Sequence, residues 1–198
     1  MGRSRKRDPG DALTAAMQLF WRHGYESVGT RQIEDEAGIT RFSLQTVYGG
    51  KMGLFLAALD HYLTLFEAGA APRCAPDAIG EIADWFLRRT APEVMSEDMR
   101  NGCLALNSLI EFGAGHPEIE QRAARYFALL RGRFSEALTR LRDTGQLDGA
   151  IDPQQGAELL HASALAMAMQ IRAAGDNGAA APLAQATATM VRGWAKQA

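Results

Sequence analysis

Apolar residues recur every three or four positions along most of this chain, and strict alternation is rare. From Asp11, residues Leu13, Ala16, Met17 and Phe20 form one such stripe. That spacing predicts a helix ending near His23, with Gly24 as its stop. Tyr25 to Gly29 is a short connector. Gly29 or Thr30 caps the next helix, which turns Ile33 and Ala37 inward. Gly38 breaks it, because glycine alone takes a left-handed turn without steric cost. Thr40 then caps a third helix that runs to about Val47 or Tyr48 and ends at Gly49-Gly50. A fourth helix is predicted from about Lys51 to Phe66, apolar at Leu54, Phe55, Ala58, Leu59, Tyr62, Leu63 and Phe66.

Residues 68–77 carry Gly69, Pro72 and Pro76 among small residues and read as a linker. Helices follow near 78–90, 98–113, 117–144, 153–174 and 180–196. Asp152-Pro153 opens the fourth of these, with proline at the favoured first position. Its sequence is apolar nearly all round, with Leu159, Leu160, Ala164, Leu165, Met167, Ala168 and Ile171. Such a helix has to be covered on every side. A second copy of the chain is the natural cover, so 153–174 and 180–196 are expected to pair with their symmetry mates as a four-helix homodimer interface.

The predicted fold is therefore all-α, with about nine helices. A three-helix unit containing a helix-turn-helix at about 29–48 occupies residues 6–66 together with the fourth helix, which joins it to a helical bundle at 67–198.

Composition adds modest constraints. The chain has 198 residues, 47 % hydrophobic and 22 % charged, as in ordinary globular proteins. No apolar run is long enough for a membrane span, and no secretory signal follows the basic N-terminus, so a cytoplasmic protein without a membrane partner is expected. Cys74 and Cys103 lie outside any Cys-x-x-Cys spacing, and His23, His61, His116 and His161 show no ligand spacing. No metal or cofactor is expected, and the histidines are assigned surface or satisfied-core roles. The net charge of −2 divides as +1 over residues 1–66 and −3 over 67–198. Arg3, Arg5, Lys6 and Arg7 supply much of the N-terminal basic charge, either as a solvated tail or as an arm along DNA phosphates.

The chemistry concentrates between Thr30 and Lys51. Leu44 and Tyr48 lie four apart and can face Ile33, Ala37 and Ile39. Arg41, Phe42, Ser43, Gln45 and Thr46 are left for the outer face, with Thr40 at the helix start. Arg can pair with guanine and Gln with adenine, Ser and Thr reach base edges or phosphates, and Phe42 can pack on a thymine methyl. Thr30, Arg31 and Lys51 begin flanking helices, where free N–H groups suit phosphates.

Residues from about 11 to 63 resemble the DNA-binding domain of the TetR family of bacterial transcriptional regulators. The resemblance rests on Ala15-Ala16, Leu19-Phe20, Gly24-Tyr25, Thr30 through Ile33, Ala37-Gly38-Ile39-Thr40, Ser43-Leu44, Tyr48, Lys51 and Leu54-Phe55. It implies a dimeric regulator on a pseudo-palindromic double-stranded operator, with a helical ligand-binding region and repression relieved by a small-molecule inducer. The family usually has Tyr, a phosphate contact, where this chain has Gln45; Gln45 would either read a base or bond a phosphate weakly in its place. Tyr48 fits the inner aromatic position. Asn101-Gly102-Cys103-Leu104 through Glu111 resembles the Gly-Cys-Leu segment common in one branch of the family.

Ligand-binding candidates are Trp85, Phe86, Cys103, Asn107, Phe127, Arg131, Met167 and Gln170. Asn107 and Gln170 stand out because a buried amide needs a partner. A thiol near a helix start can be reactive, so redox or electrophile sensing through Cys103 is one alternative. A helical ligand-binding protein that has lost DNA reading is another. An enzyme is not expected, because no nucleophile–base pair is legible.

Overall fold

The computed structural model describes residues 8–70, 78–91 and 97–196. The N-terminal basic cluster, Cys74 and most of the expected linker lie outside these residues. Among the described residues there are nine α-helices and no strand. The described residues divide into two compact units. The first holds 8–69 and 104–124; the second holds the described part of 70–103 and 125–196.

In the first unit, α1 (Pro9–His23) starts where the Asp8 carboxylate accepts from the Gly10 N–H, at 2.9 Å. It begins two residues before the predicted start, because Pro9 fits the first turn. Helix α2 (Thr30–Gln32) widens into a π turn at Ile33–Ala37. Helix α3 (Arg41–Tyr48) is followed by α4 (Lys51–Leu65), itself continued by a π turn at Phe66–Ala70. Aromatic rings join α1, the turn after it and α4. Phe20 meets Phe55 edge-on at 5.0 Å between ring centres, and Tyr25 lies 5.1 Å from Phe55.

Helix α6 (Leu104–Phe112) also belongs to this unit, because Phe112 packs 5.0 Å from Tyr25 and 5.5 Å from Phe55. The start of α7 (Pro117–Asp143) is tied in by Arg122, whose guanidinium donates to both Asp60 oxygens at 3.0 and 2.8 Å. A single cut at residue 66 does not describe this grouping, because the joining contacts link segments far apart in sequence.

In the second unit, α5 (Ala78–Arg88) packs on α9 (Ala181–Arg192), burying Ile82, Ala83 and Phe86 together with Ala184, Ala188 and Val191. Asp84 accepts from Arg192 at 3.2 Å on the rim. The helix expected at 98–113 is two elements. A 3₁₀ turn at Glu97–Asn101 ends at Gly102, and α6 starts at Leu104. Gly102 has a φ of 73°, and a Cβ there would lie 2.5 Å from the Ala168 carbonyl oxygen, so the break is a close approach to α8 (Pro153–Ala174).

Helix α8 is capped by the Asp152 carboxylate, which accepts from Gln154 and Gln155 N–H at 3.0 and 2.9 Å. One face of α8 is buried through Ala157, Leu160, Ala164, Met167 and Ile171, whereas Leu159 and Met169 stand 54 % exposed. A turn at Asn177–Ala180 precedes α9.

Candidate nucleic-acid interface

The helix-turn-helix is built by local signals. The Ile33–Ala37 turn closes on Gly38, left-handed at φ 72°. Thr40 remains extended, and its hydroxyl oxygen accepts from the Ser43 N–H at 3.2 Å, capping α3. Gly49, at φ 70°, returns its N–H to the Gln45 carbonyl and ends the helix. Ile33, Ala37, Ile39 and Leu44 are buried as the spacing predicted. Tyr48 is only half-buried.

One residue that pattern reasoning missed controls how α3 meets α4. A Cβ at Gly53 would lie 1.7 Å from the Tyr48 carbonyl oxygen. Only glycine permits that approach, and the clash involves backbone, so no side-chain rotation could relieve it. A glycine in the first turn of a helix, where propensity favours other residues, was the available signal.

The outward face of α3 presents Arg41, Phe42, Gln45 and Thr46 to solvent, with Phe42 76 % exposed and Ser43 half-buried at the cap. The Thr46 hydroxyl donates to the Phe42 carbonyl at 2.9 Å, which leaves its oxygen lone pairs outward. Val47, absent from the predicted set, is 69 % exposed. Thr30 and Arg31 are exposed at the start of α2, and Arg31 lies 3.7 Å from Asp35. The Lys51 ammonium sits 4.2 Å over the Tyr25 ring and 3.4 Å from the Glu26 carbonyl oxygen, which accepts from it. Burial and then the neighbouring Glu26 charge raise the Tyr25 phenol above its ordinary pKa, so this ring stays neutral beneath the ammonium.

Residues 25 and 26 are themselves held. The Glu111 carboxylate accepts from the Tyr25 N–H at 2.9 Å and the Glu26 N–H at 2.8 Å. Glu111 was also missed, since its partners lie 85 and 86 positions away.

The ligand candidates are dispersed. Asn107 belongs to the first unit and the other seven to the second. Trp85 and Phe86 form a buried aromatic cluster with Phe134, their centres 5.4 and 5.7 Å from its ring. Met167 is 1 % exposed and fills core. Gln170 is exposed rather than a buried amide, because the inward stripe of α8 passes through Met167 and Ile171. Cys103 is 4 % exposed, less open than reactive thiols usually are.

Phe127 and Arg131 face α8. The Phe127 ring lies 5.6 Å from His161, and Arg131 pairs with Glu158 at 3.4 Å. The satisfied-core expectation for His161 is corrected here: the residue is buried, yet its Nε2 has no hydrogen-bond partner among the described residues. Burial, followed by the Arg131 charge, lowers its pKa from the ordinary 6.5 against an opposing effect of Glu158. An open groove of about 460 Å³ runs along α7 beside Arg125, Ala128, Leu129, Gly132, Arg133 and Glu136. None of the eight ligand candidates lines it. No described helix is long and apolar enough to cross a membrane, and no metal-binding cluster occurs among the described residues.

A capped helix with a solvated face, following a glycine turn and set against a glycine-jointed neighbour, is the architecture of a helix-turn-helix, as in DNA-binding regulators. Two family models agree. "Bacterial regulatory proteins, tetR family" matches residues 12–58, and "Tetracyclin repressor-like, C-terminal domain" matches 84–187. The chain belongs to the TetR family of transcriptional regulators.

It is 30 % identical over 150 residues to an uncharacterized HTH-type transcriptional regulator, YezE of Bacillus subtilis (strain 168), covering 75 % of this chain and 77 % of that protein. It is 26 % identical over 196 residues to the HTH-type transcriptional repressor ComR of Escherichia coli (strain K12), covering 98 % and 91 %. Its fold matches a cysteine variant of the TetR-family regulator CifR, solved with 26-bp double-strand operator DNA. The TM-score there is 0.76 at 25 % identity, over 97 % of this chain and 100 % of that one.

Proposed function

We propose that the protein is a repressor that binds a pseudo-palindromic operator as a homodimer and leaves it when a small-molecule inducer binds. Each protomer would lay α3 in a major groove, the two half-sites about one helical turn or slightly more apart. Arg41, Phe42, Ser43, Gln45 and Thr46 would read bases. Thr30, Arg31, Thr40 and Lys51 would meet phosphates, with Tyr48 closing the inner side. The observation that carries the reading is the solvated face of α3, where Arg41, Phe42, Gln45 and Thr46 stand exposed on a helix whose other face is anchored by Leu44.

The repressor assignment draws on ComR of Escherichia coli, a repressor by name, and the operator on the DNA-bound CifR structure. Dimerisation through α8 and α9 is supported by the exposed Leu159 and Met169, two large apolar side chains on one helix. A protein that binds such an operator would work in the cytoplasm. The inducer would act by favouring a conformer whose two reading helices no longer match the half-site spacing.

The test is a shift assay on the protein's own promoter fragment across a salt series. Binding should weaken steeply with salt, and the triple variant Arg41→Ala, Gln45→Ala, Lys51→Ala should lose it. Retained binding by the triple variant would remove the assigned reading face.

A further inference from the structure

Lys51 has two partners within the protein, the Tyr25 ring and the Glu26 carbonyl. Those two residues are also the ones whose N–H groups the Glu111 carboxylate accepts, at 2.9 and 2.8 Å. The connection therefore runs Glu111, residues 25–26, Lys51. We propose that Glu111 is a positioning residue for operator binding: by fixing the turn at 25–26 it holds the Lys51 ammonium where a DNA phosphate meets the start of α4. This rests on the reading of Lys51 as a phosphate contact.

The physical basis is pre-organisation. A lysine side chain has many rotamers and normally loses that freedom when it contacts a phosphate. Here a ring face and a carbonyl oxygen hold the ammonium before DNA arrives, and at least one of its three hydrogens remains to donate. Two N–H donors to one ionised carboxylate form a strong clamp. Gly24 leaves room for it, since a Cβ there would stand 3.0 Å from both Glu111 oxygens. Phe112, the next residue of α6, packs on Tyr25 and Phe55 and fixes the helix end that carries Glu111.

The experiment is a double-mutant cycle on the full-length protein, read by fluorescence anisotropy on a duplex that the wild type enriches from a random pool. Lys51→Ala should weaken binding about tenfold and lower the salt slope by about one per protomer. Glu111→Ala should weaken it by roughly three- to tenfold when Lys51 is present and have no effect when combined with Lys51→Ala, the non-additivity that marks one chain of contacts. Glu111→Gln keeps one acceptor oxygen and should fall between; it serves as the reading variant if Glu111→Ala lowers helix content. Equal losses in both backgrounds, or no loss with Glu111→Ala while Lys51→Ala weakens binding, would overturn the proposal. Wild-type binding and slope for Lys51→Ala would instead overturn the phosphate reading of Lys51, and this proposal with it.

Discussion

Helix α3 and the seam of α7 with α8 both carry residues expected to bind something, and they treat those residues in opposite ways. On α3 the expected Arg41, Phe42, Gln45 and Thr46 stand in solvent, Phe42 at 76 %, while the opposite side is anchored by the buried Leu44. In the second unit Phe86 is 0 % exposed, Met167 is 1 % exposed, and Arg131 is paired with Glu158. A surface that reads a rigid duplex needs a fixed array of outward groups, and caps and glycines close in sequence can supply it. A ligand pocket needs space left unfilled, which is decided by side chains from helices far apart in sequence. Local pattern therefore speaks for the first kind of site and hardly at all for the second.

The largest expected effect tests whether the aromatic cluster is filler. Phe86→Ala should cost about 3–5 kcal/mol, the range for truncating a buried phenylalanine, measured by urea unfolding. A cost below about 1 kcal/mol would mean that the region tolerates empty space, as a pocket does, and the contrast with α3 would break.

Gly53→Ala comes next. Alanine normally gains about 1 kcal/mol over glycine within a helix. Here the Cβ meets the Tyr48 carbonyl, so a net loss of about 1–3 kcal/mol is expected, together with weaker operator binding. Thermal melts and anisotropy on the same samples check both. A stabilised variant with full binding would show that the α3–α4 joint is not close-fitting.

Gln45→Ala sharpens the other side. Stability should change by less than about 0.5 kcal/mol, while discrimination at one base-pair position should fall by about 1–3 kcal/mol. Competition with single-base operator variants reads the second quantity. Uniform weakening over all variants would move Gln45 from base reading to phosphate contact.

His161→Leu gives the smallest effect. The folded imidazole holds its proton less firmly than the unfolded one, so unfolding takes up protons at acid pH. The resulting loss of stability is absent well above 6.5, sets in as pH falls through that value, and is complete below the lowered folded pKa. The leucine variant should lose this part of the acid dependence. Near neutral pH it should be about 1 kcal/mol more stable, because a buried unpaired nitrogen has been removed. Denaturation midpoints at a series of pH values between the two regimes check it. An unchanged acid slope would place the sensitivity elsewhere.

The helices were legible because their signals are periodic and local: Gly38 after the preceding turn, Thr40 before α3, Gly49 at its end, and Asp152-Pro153 before α8 all act within one turn. What escaped has a common origin in tertiary contact. The break at Gly102 follows from the approach of α8, the clamp at Glu111 from a turn far earlier in the chain, and the close joint at Gly53 from the preceding helix. The exposure of Gln170 follows from which stripe of an almost wholly apolar helix faces inward, and on α8 hydropathy alone does not choose.

The boundaries of α3 give it the character of a replaceable part. Eight residues lie between Thr40 and Gly49, and their inward anchors are Leu44 and the half-buried Tyr48. Letters at 41, 42, 45, 46 and 47 can be rewritten without touching either anchor, the cap or the glycine joint. If α3 reads bases as proposed, a library varied at those five positions alone would hold the scaffold constant while changing the DNA sequence addressed, which would make this regulator a chassis for new operators.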